Sequence, residues 1–116
     1  MPGLPASADA IVDERKIADY LLSPGHVSGS AKARFFAGFG FRRDAPGQMR
    51  AALLNHAAAN EILRLQTTAH GVKYVIEGPL SAPDGRAPLV RTVWIVDAGT
   101  RIPRFVTAFP GGKARS

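Results

Sequence analysis

A chain of 116 residues and 12.3 kDa has the length of a single domain. With 46% hydrophobic and 21% charged residues it can bury a core without disulfides or a structural metal. It has no cysteine, which excludes a disulfide framework, a thiolate zinc site, an iron–sulfur cluster and a thiol nucleophile. No apolar run reaches the roughly 18 residues needed to cross a bilayer. No secretory leader pattern is visible, so a soluble, cytoplasmic protein is expected.

The charge is +6, and eleven of the fifteen basic residues are arginine. Residues 61–116 carry eight basic and four acidic groups, against seven and five in residues 1–60. Arginine offers a planar fork of donors that matches phosphate, so this balance suits a polyanionic partner.

Residues 1–10 hold two prolines, a glycine and small side chains, and predict a flexible arm without core contacts. A single domain is expected over 11–110, with 111–116 as a flexible tail. The spacing of Ile17, Ala18, Leu21 and Leu22 predicts a helix over Asp13–Leu22, stopped by Ser23-Pro24-Gly25. A second helix is expected from Ser30 to about Ala37, with Phe35 and Phe36 inward, before Gly38-Phe39-Gly40-Phe41 breaks it. A third is expected from a cap at Asp44 to about Ala58, with Pro46 in its first turn. Its inner face is Met49, Ala52, Leu53, His56 and Ala57, and His56 reads as a hydrogen-bonded core residue.

From Ile62 onward the apolar period becomes two. Four runs rich in β-branched and aromatic residues, around 62–66, 72–77, 89–96 and 104–109, are joined by short connections carrying turn residues. They predict an α+β domain in which N-terminal helices pack on one face of a four-stranded antiparallel sheet. The other face is then open. One parity presents Lys73, Arg91 and Arg104; the other presents Tyr74, Thr92, Trp94 and Thr107. Periodicity alone does not choose between them.

No metal site is expected, because the histidines lack ligand spacing and the carboxylates are scattered. No glycine-rich phosphate loop and no nucleophile elbow are present, and no cofactor is expected. Of the three histidines, His70 in the turn before the second strand is the candidate acid or base, since imidazole titrates near neutral pH. Lys73 and Arg91 are candidates for stabilising charge on a phosphoryl group, and Thr107 for positioning one of its oxygens. Lys32, Tyr74, Thr92 and Arg104 are candidate substrate-binding residues. Trp94 reads as core.

Two stretches carry a resemblance. One is Lys16-Ile17-x-x-Tyr20-Leu21-Leu22 with Lys32-Ala33-Arg34-Phe35-Phe36 and Gly38–Phe41. The other is 71–78 (GVKYVIEG) with Arg91-Thr92-Val93-Trp94-Ile95 and 103–110 (PRFVTAFP). Together they resemble DUF6883, a small bacterial domain family of unassigned function found in polymorphic toxins, phage-related proteins and toxin–antitoxin-like pairs. The element order and last strand are similar to the barnase/EndoU/colicin/RelE-like superfamily of metal-independent RNases. Where the family's last strand usually ends in tyrosine, this chain has Phe109.

The resemblance implies a metal-independent RNase-like toxin domain acting on RNA by acid/base chemistry. Its partners would be RNA and an acidic cognate antitoxin or immunity protein, with no membrane. The alternative is a non-catalytic nucleic-acid- or protein-binding module of a phage or toxin system.

Overall fold

The computed structural model describes residues 3–22 and 30–112. Helix α1 starts at Glu14–Lys16 and continues as a π-helical turn over Ile17–Leu21. Asp13 caps it, its carboxylate accepting the Arg15 amide at 2.9 Å. The π turn is closed by the Leu22 amide on the Ile17 carbonyl at 2.8 Å, and both side chains are buried. The expected Ser23-Pro24-Gly25 stop lies outside the described residues, as do His26 and residues 113–116.

Helix α2 covers Ser30–Ala37 and α3 covers Pro46–Ala59. α3 buries Met49, Leu53, His56 and Ala57, the three- and four-residue stripe legible in the sequence. Its start differs from expectation. Pro46 opens the helix and Asp44 caps nothing, because Arg42 holds both of its carboxylate oxygens at 2.7 and 2.8 Å. Phe36 and Phe41 are buried edge to face, with ring centres 6.1 Å apart.

The four strands are β1 (Ile62–Thr68), β2 (Gly71–Pro79), β3 (Leu89–Asp97) and β4 (Arg104–Pro110). They pair antiparallel in chain order. This is the expected α+β architecture. Ile76, Val90, Thr92, Trp94, Phe105 and Ala108 face the helices and are buried. Trp94 and Phe105 meet edge to face with centres 5.5 Å apart.

Two glycines of β2 permit close approaches. At Gly71, φ is +150°, and a Cβ would strike the Val96 carbonyl and the Asp97 Cα. At Gly78 a Cβ would overlap the Asn60 side chain, which folds back onto the end of α3 through the His56 carbonyl at 2.9 Å.

The N-terminal segment corrects one expectation. Leu4 and Ala10 are buried in the core, and Ile11 bridges to the β4 edge. The Ile11 amide donates to Pro103 and the Ile11 carbonyl accepts from Phe105, both at 2.9 Å. Small apolar side chains here do find core contacts, because the segment is tied down at a sheet edge.

Candidate functional site: the uncovered sheet face

Register assigns the side chains to faces, because directly paired residues point the same way. Lys73 pairs with Gln66 and Ile95, and Ile95 with Arg104. Val75 pairs with Arg64 and Val93, and Val93 with Thr107. Glu77 pairs with Arg91, and Arg91 with Phe109. These three rows form the face away from the helices, floored by Val75 and Val93, which lie outside the helix-side core cluster.

A register shift between Val93 and Trp94 adds one residue to β4. It turns Thr107 and Phe109 to the open face while Phe105 stays in the core. Strict alternation groups Thr107 with Tyr74, Thr92 and Trp94, and the bulge overturns that grouping. Only a break in pairing reveals it, and no glycine or proline marks it in the sequence.

Arg91 is the most informative side chain on this face. Its Nε donates to Glu77 Oε2 at 2.7 Å, with 28% and 22% of the two side chains exposed. The terminal nitrogens of the guanidinium make no hydrogen bond among the described residues. Glu77 thus holds the group at Nε and leaves its two terminal nitrogens uncommitted among the described residues, the donors that can receive two phosphate oxygens. Glu77 Oε2 also accepts the Gly112 amide at 2.9 Å. That amide and then Arg91 hold the carboxyl below its ordinary value of 4.5, so it stays ionised at neutral pH.

Beside this pair, Lys32 of α2 reaches Thr107, Nζ donating to Oγ1 at 3.0 Å across 75 residues of sequence. Thr107 lies one strand from Arg91 and one row along. The open face therefore carries the Glu77–Arg91 pair in one row and the Lys32–Thr107 pair in the next, over an apolar floor, with half-buried Phe109 opposite Arg91.

The remaining candidates are elsewhere. His70 is exposed in the β1–β2 turn, its amide donating to Thr68 Oγ1 at 3.1 Å and its carbonyl accepting from Ala98 at 2.8 Å. Roughly 20 Å of strand separates neighbouring Gly71 from Glu77, so His70 and Arg91 do not meet at one phosphorus. Lys73 is exposed on the open face, about 13 Å of strand from Glu77.

Arg104 is on that face too, but its Nε and Nη2 donate to the two oxygens of Asp97 at 2.7 and 3.1 Å. This bond pulls the Asp97 carboxyl below its ordinary range and raises the guanidinium. Arg104 is thus committed to an internal ion pair that holds the β3–β4 connection.

Two candidates are corrected. Tyr74 lies on the helix side, half-buried against the core. Thr92 is fully buried between His56 and Trp94. Its oxygen accepts the Trp94 indole N–H at 2.9 Å and stands 3.1 Å from His56 Nδ1. His56 Nε2–H donates to the carbonyls of Gly78 at 3.1 Å and Val90 at 2.9 Å, so Nδ1 accepts the threonine hydroxyl. Burial keeps this imidazole below its ordinary 6.5 and neutral. His56 is a structural hinge pin joining α3 to β2 and β3.

Glu77 also borders an open depression of about 440 Å³ lined by Ala59, Asn60, Glu61, Ile62 and Leu63. Two carboxylates line it, so anions are favoured on the sheet face instead. Among the described residues, no three His, Asp or Glu side chains are placed to hold a metal. No helix there is long and apolar enough to cross a membrane.

The model of a family described as a domain of unknown function, DUF6883, matches residues 3–112. No curated protein matches the sequence. Among solved structures, the chain is similar to one in a contact-dependent growth inhibition toxin–immunity protein complex from Klebsiella pneumoniae 342. The TM-score is 0.66 at 23% identity, over 92% of this chain and 97% of that one. At that identity the likeness is one of fold.

Proposed function

This chain belongs to the DUF6883 family, and from that premise we propose that it is a metal-independent RNase-like toxin domain working on RNA at the centre of its open sheet face. The observation that carries the reading is Arg91: a guanidinium held at Nε by Glu77 with its terminal nitrogens uncommitted among the described residues, one row from the Lys32–Thr107 pair. Arg91 and Lys32 take the non-bridging oxygens of a phosphodiester, and the apolar flank of Phe109 faces the sugar or base. Glu77 Oε1 makes no hydrogen bond among the described residues and accepts the proton of the ribose 2′-hydroxyl. The 2′-oxygen attacks phosphorus, the bond to the 5′-oxygen breaks, and the Lys32 ammonium supplies the proton that the leaving oxygen needs. The products are a 2′,3′-cyclic phosphate and a 5′-hydroxyl.

The toxin part rests on family membership and on a fold shared with a chain of a toxin–immunity complex. Within such a pair, a charge of +6 fits the member that meets RNA, with an acidic immunity protein as its inhibitor. Work on RNA places it in the cytoplasm. The test is incubation of the pure protein with total RNA in excess EDTA. New 2′,3′-cyclic phosphate ends in the wild type, absent in Glu77→Gln, support the reading. Intact RNA at enzyme excess contradicts it.

A second reading is a non-catalytic RNA-binding module. The distance between His70 and Arg91 favours it, because among the described residues no histidine stands at the cations. It predicts salt-sensitive binding without cleavage in the same experiment.

A further inference from the structure

The two edges of the sheet are treated differently. The β4 edge is occupied at one end by Ile11 and flanked by α2 through Lys32. β1 is the opposite edge and pairs only with β2 among the described residues. Six of its seven residues, 63–68, are exposed, including Leu63 at 48% and Leu65 at 43%. It carries no proline and no lysine to discourage pairing. Its single charge is Arg64, which lies on the open face with Gln66, opposite Val75 and Lys73. The edge thus offers unpaired backbone groups, two exposed leucines and the cation Arg64, with Glu61 just before its first residue.

We infer that β1 is the docking edge for an extended, acidic segment of a partner protein, which adds a fifth strand to the sheet. Backbone hydrogen bonds supply the register, and apolar side chains of the segment cover Leu65 on the helix side. Acidic side chains of the segment meet Arg64 and the nearby Lys73 on the open face. Charge selects this occupant over a second copy, because two chains of +6 oppose each other at close range. A strand at this edge stands next to β1 and two strands from β2, on the side of the sheet away from β4. The inference does not depend on RNA being cleaved.

The test uses the full chain and a blocked six-residue peptide of alternating glutamate and valine, with a lysine–valine peptide as control. Amide hydrogen exchange and chemical shifts are followed without RNA. The expected result is saturable binding of the acidic peptide, with new exchange protection confined to residues 62–68. Leu65→Lys, an exposed position, is expected to weaken binding at least tenfold without loss of fold. Arg64→Glu is expected to shift preference to the lysine peptide. Protection at β4 instead of β1, equal binding of both peptides, or no binding overturns the inference. Concentration-dependent self-association that protects β1 in the absence of peptide overturns the choice of partner.

Discussion

Glu77 and Arg91 face each other across β2 and β3, and their bond runs from Nε of the guanidinium to one carboxylate oxygen at 2.7 Å. Arg104 and Asp97, on the same face, form a two-point bond through Nε and Nη2, one edge of the guanidinium. Two arginine–carboxylate pairs on one sheet thus have opposite consequences. One spends two of its nitrogens inside the fold, and the other spends Nε alone.

This difference separates binding from chemistry at the Glu77 pair. Glu77→Gln removes the proton acceptor but leaves a positive face, so RNA binding is expected to persist while cleavage falls by at least about a hundredfold. Gel-shift and cleavage assays on the same preparation check this. The pH sign follows from the lowered carboxyl. Its stabilising contribution is complete above the unfolded value of 4.5 and fades as pH falls through the lower folded value. Between pH 5 and 8 this group therefore imposes no change in stability.

The buried chain from Trp94 through Thr92 to His56 is expected to govern stability and not RNA contact. Thr92→Val strands the indole N–H and the imidazole nitrogen without partners, at a cost of about 1–3 kcal/mol each way. Thr92→Ser keeps both bonds and is expected to stay close to wild type. Urea unfolding measures the pair, and RNA affinity should be equal in all three proteins.

The same histidine gives a second pH window. Folding holds His56 below its ordinary 6.5, so the unfolded chain takes up a proton that the folded chain refuses. Its contribution is complete above pH 6.5 and declines as the solution becomes more acidic. The urea midpoint is expected to drop from pH 7.5 to pH 5.5, and to drop less in His56→Gln measured against its own pH 7.5 value.

Gly78 and Asn60 form a steric pair. Gly78→Ala is expected to destabilise by about 1–3 kcal/mol through overpacking. Adding Asn60→Gly should recover part of that loss, although it also removes the bond to the His56 carbonyl. A double-mutant cycle by denaturant unfolding reads the coupling.

The sequence announces whatever depends on period. The α3 stripe of Met49, Leu53, His56 and Ala57 and the alternation in all four strands are visible before folding, because burial selects residue type at each position. Features that depend on partners distant in sequence are not. Thr107 and Phe109 change face through a bulge that leaves no residue signature. Thr92 carries the same hydroxyl in a core as on a surface, so only its bonds to His56 and Trp94 reveal its role. Lys32 and Thr107 each appear as single candidates, and the fold alone makes them neighbours. Leu4 and Ala10 sit in a segment of turn-forming composition, yet the pairing of Ile11 with β4 draws that segment into the core.

Whether the Arg91 guanidinium meets the phosphodiester is decided by comparing single-turnover RNA cleavage in EDTA for Arg91→Ala and Arg104→Ala. A loss of about 10²–10³-fold is expected for Arg91→Ala, the range for removing one preorganised donor, with near-wild-type cleavage for Arg104→Ala. Equal losses in the two variants, or full activity in Arg91→Ala, would contradict it.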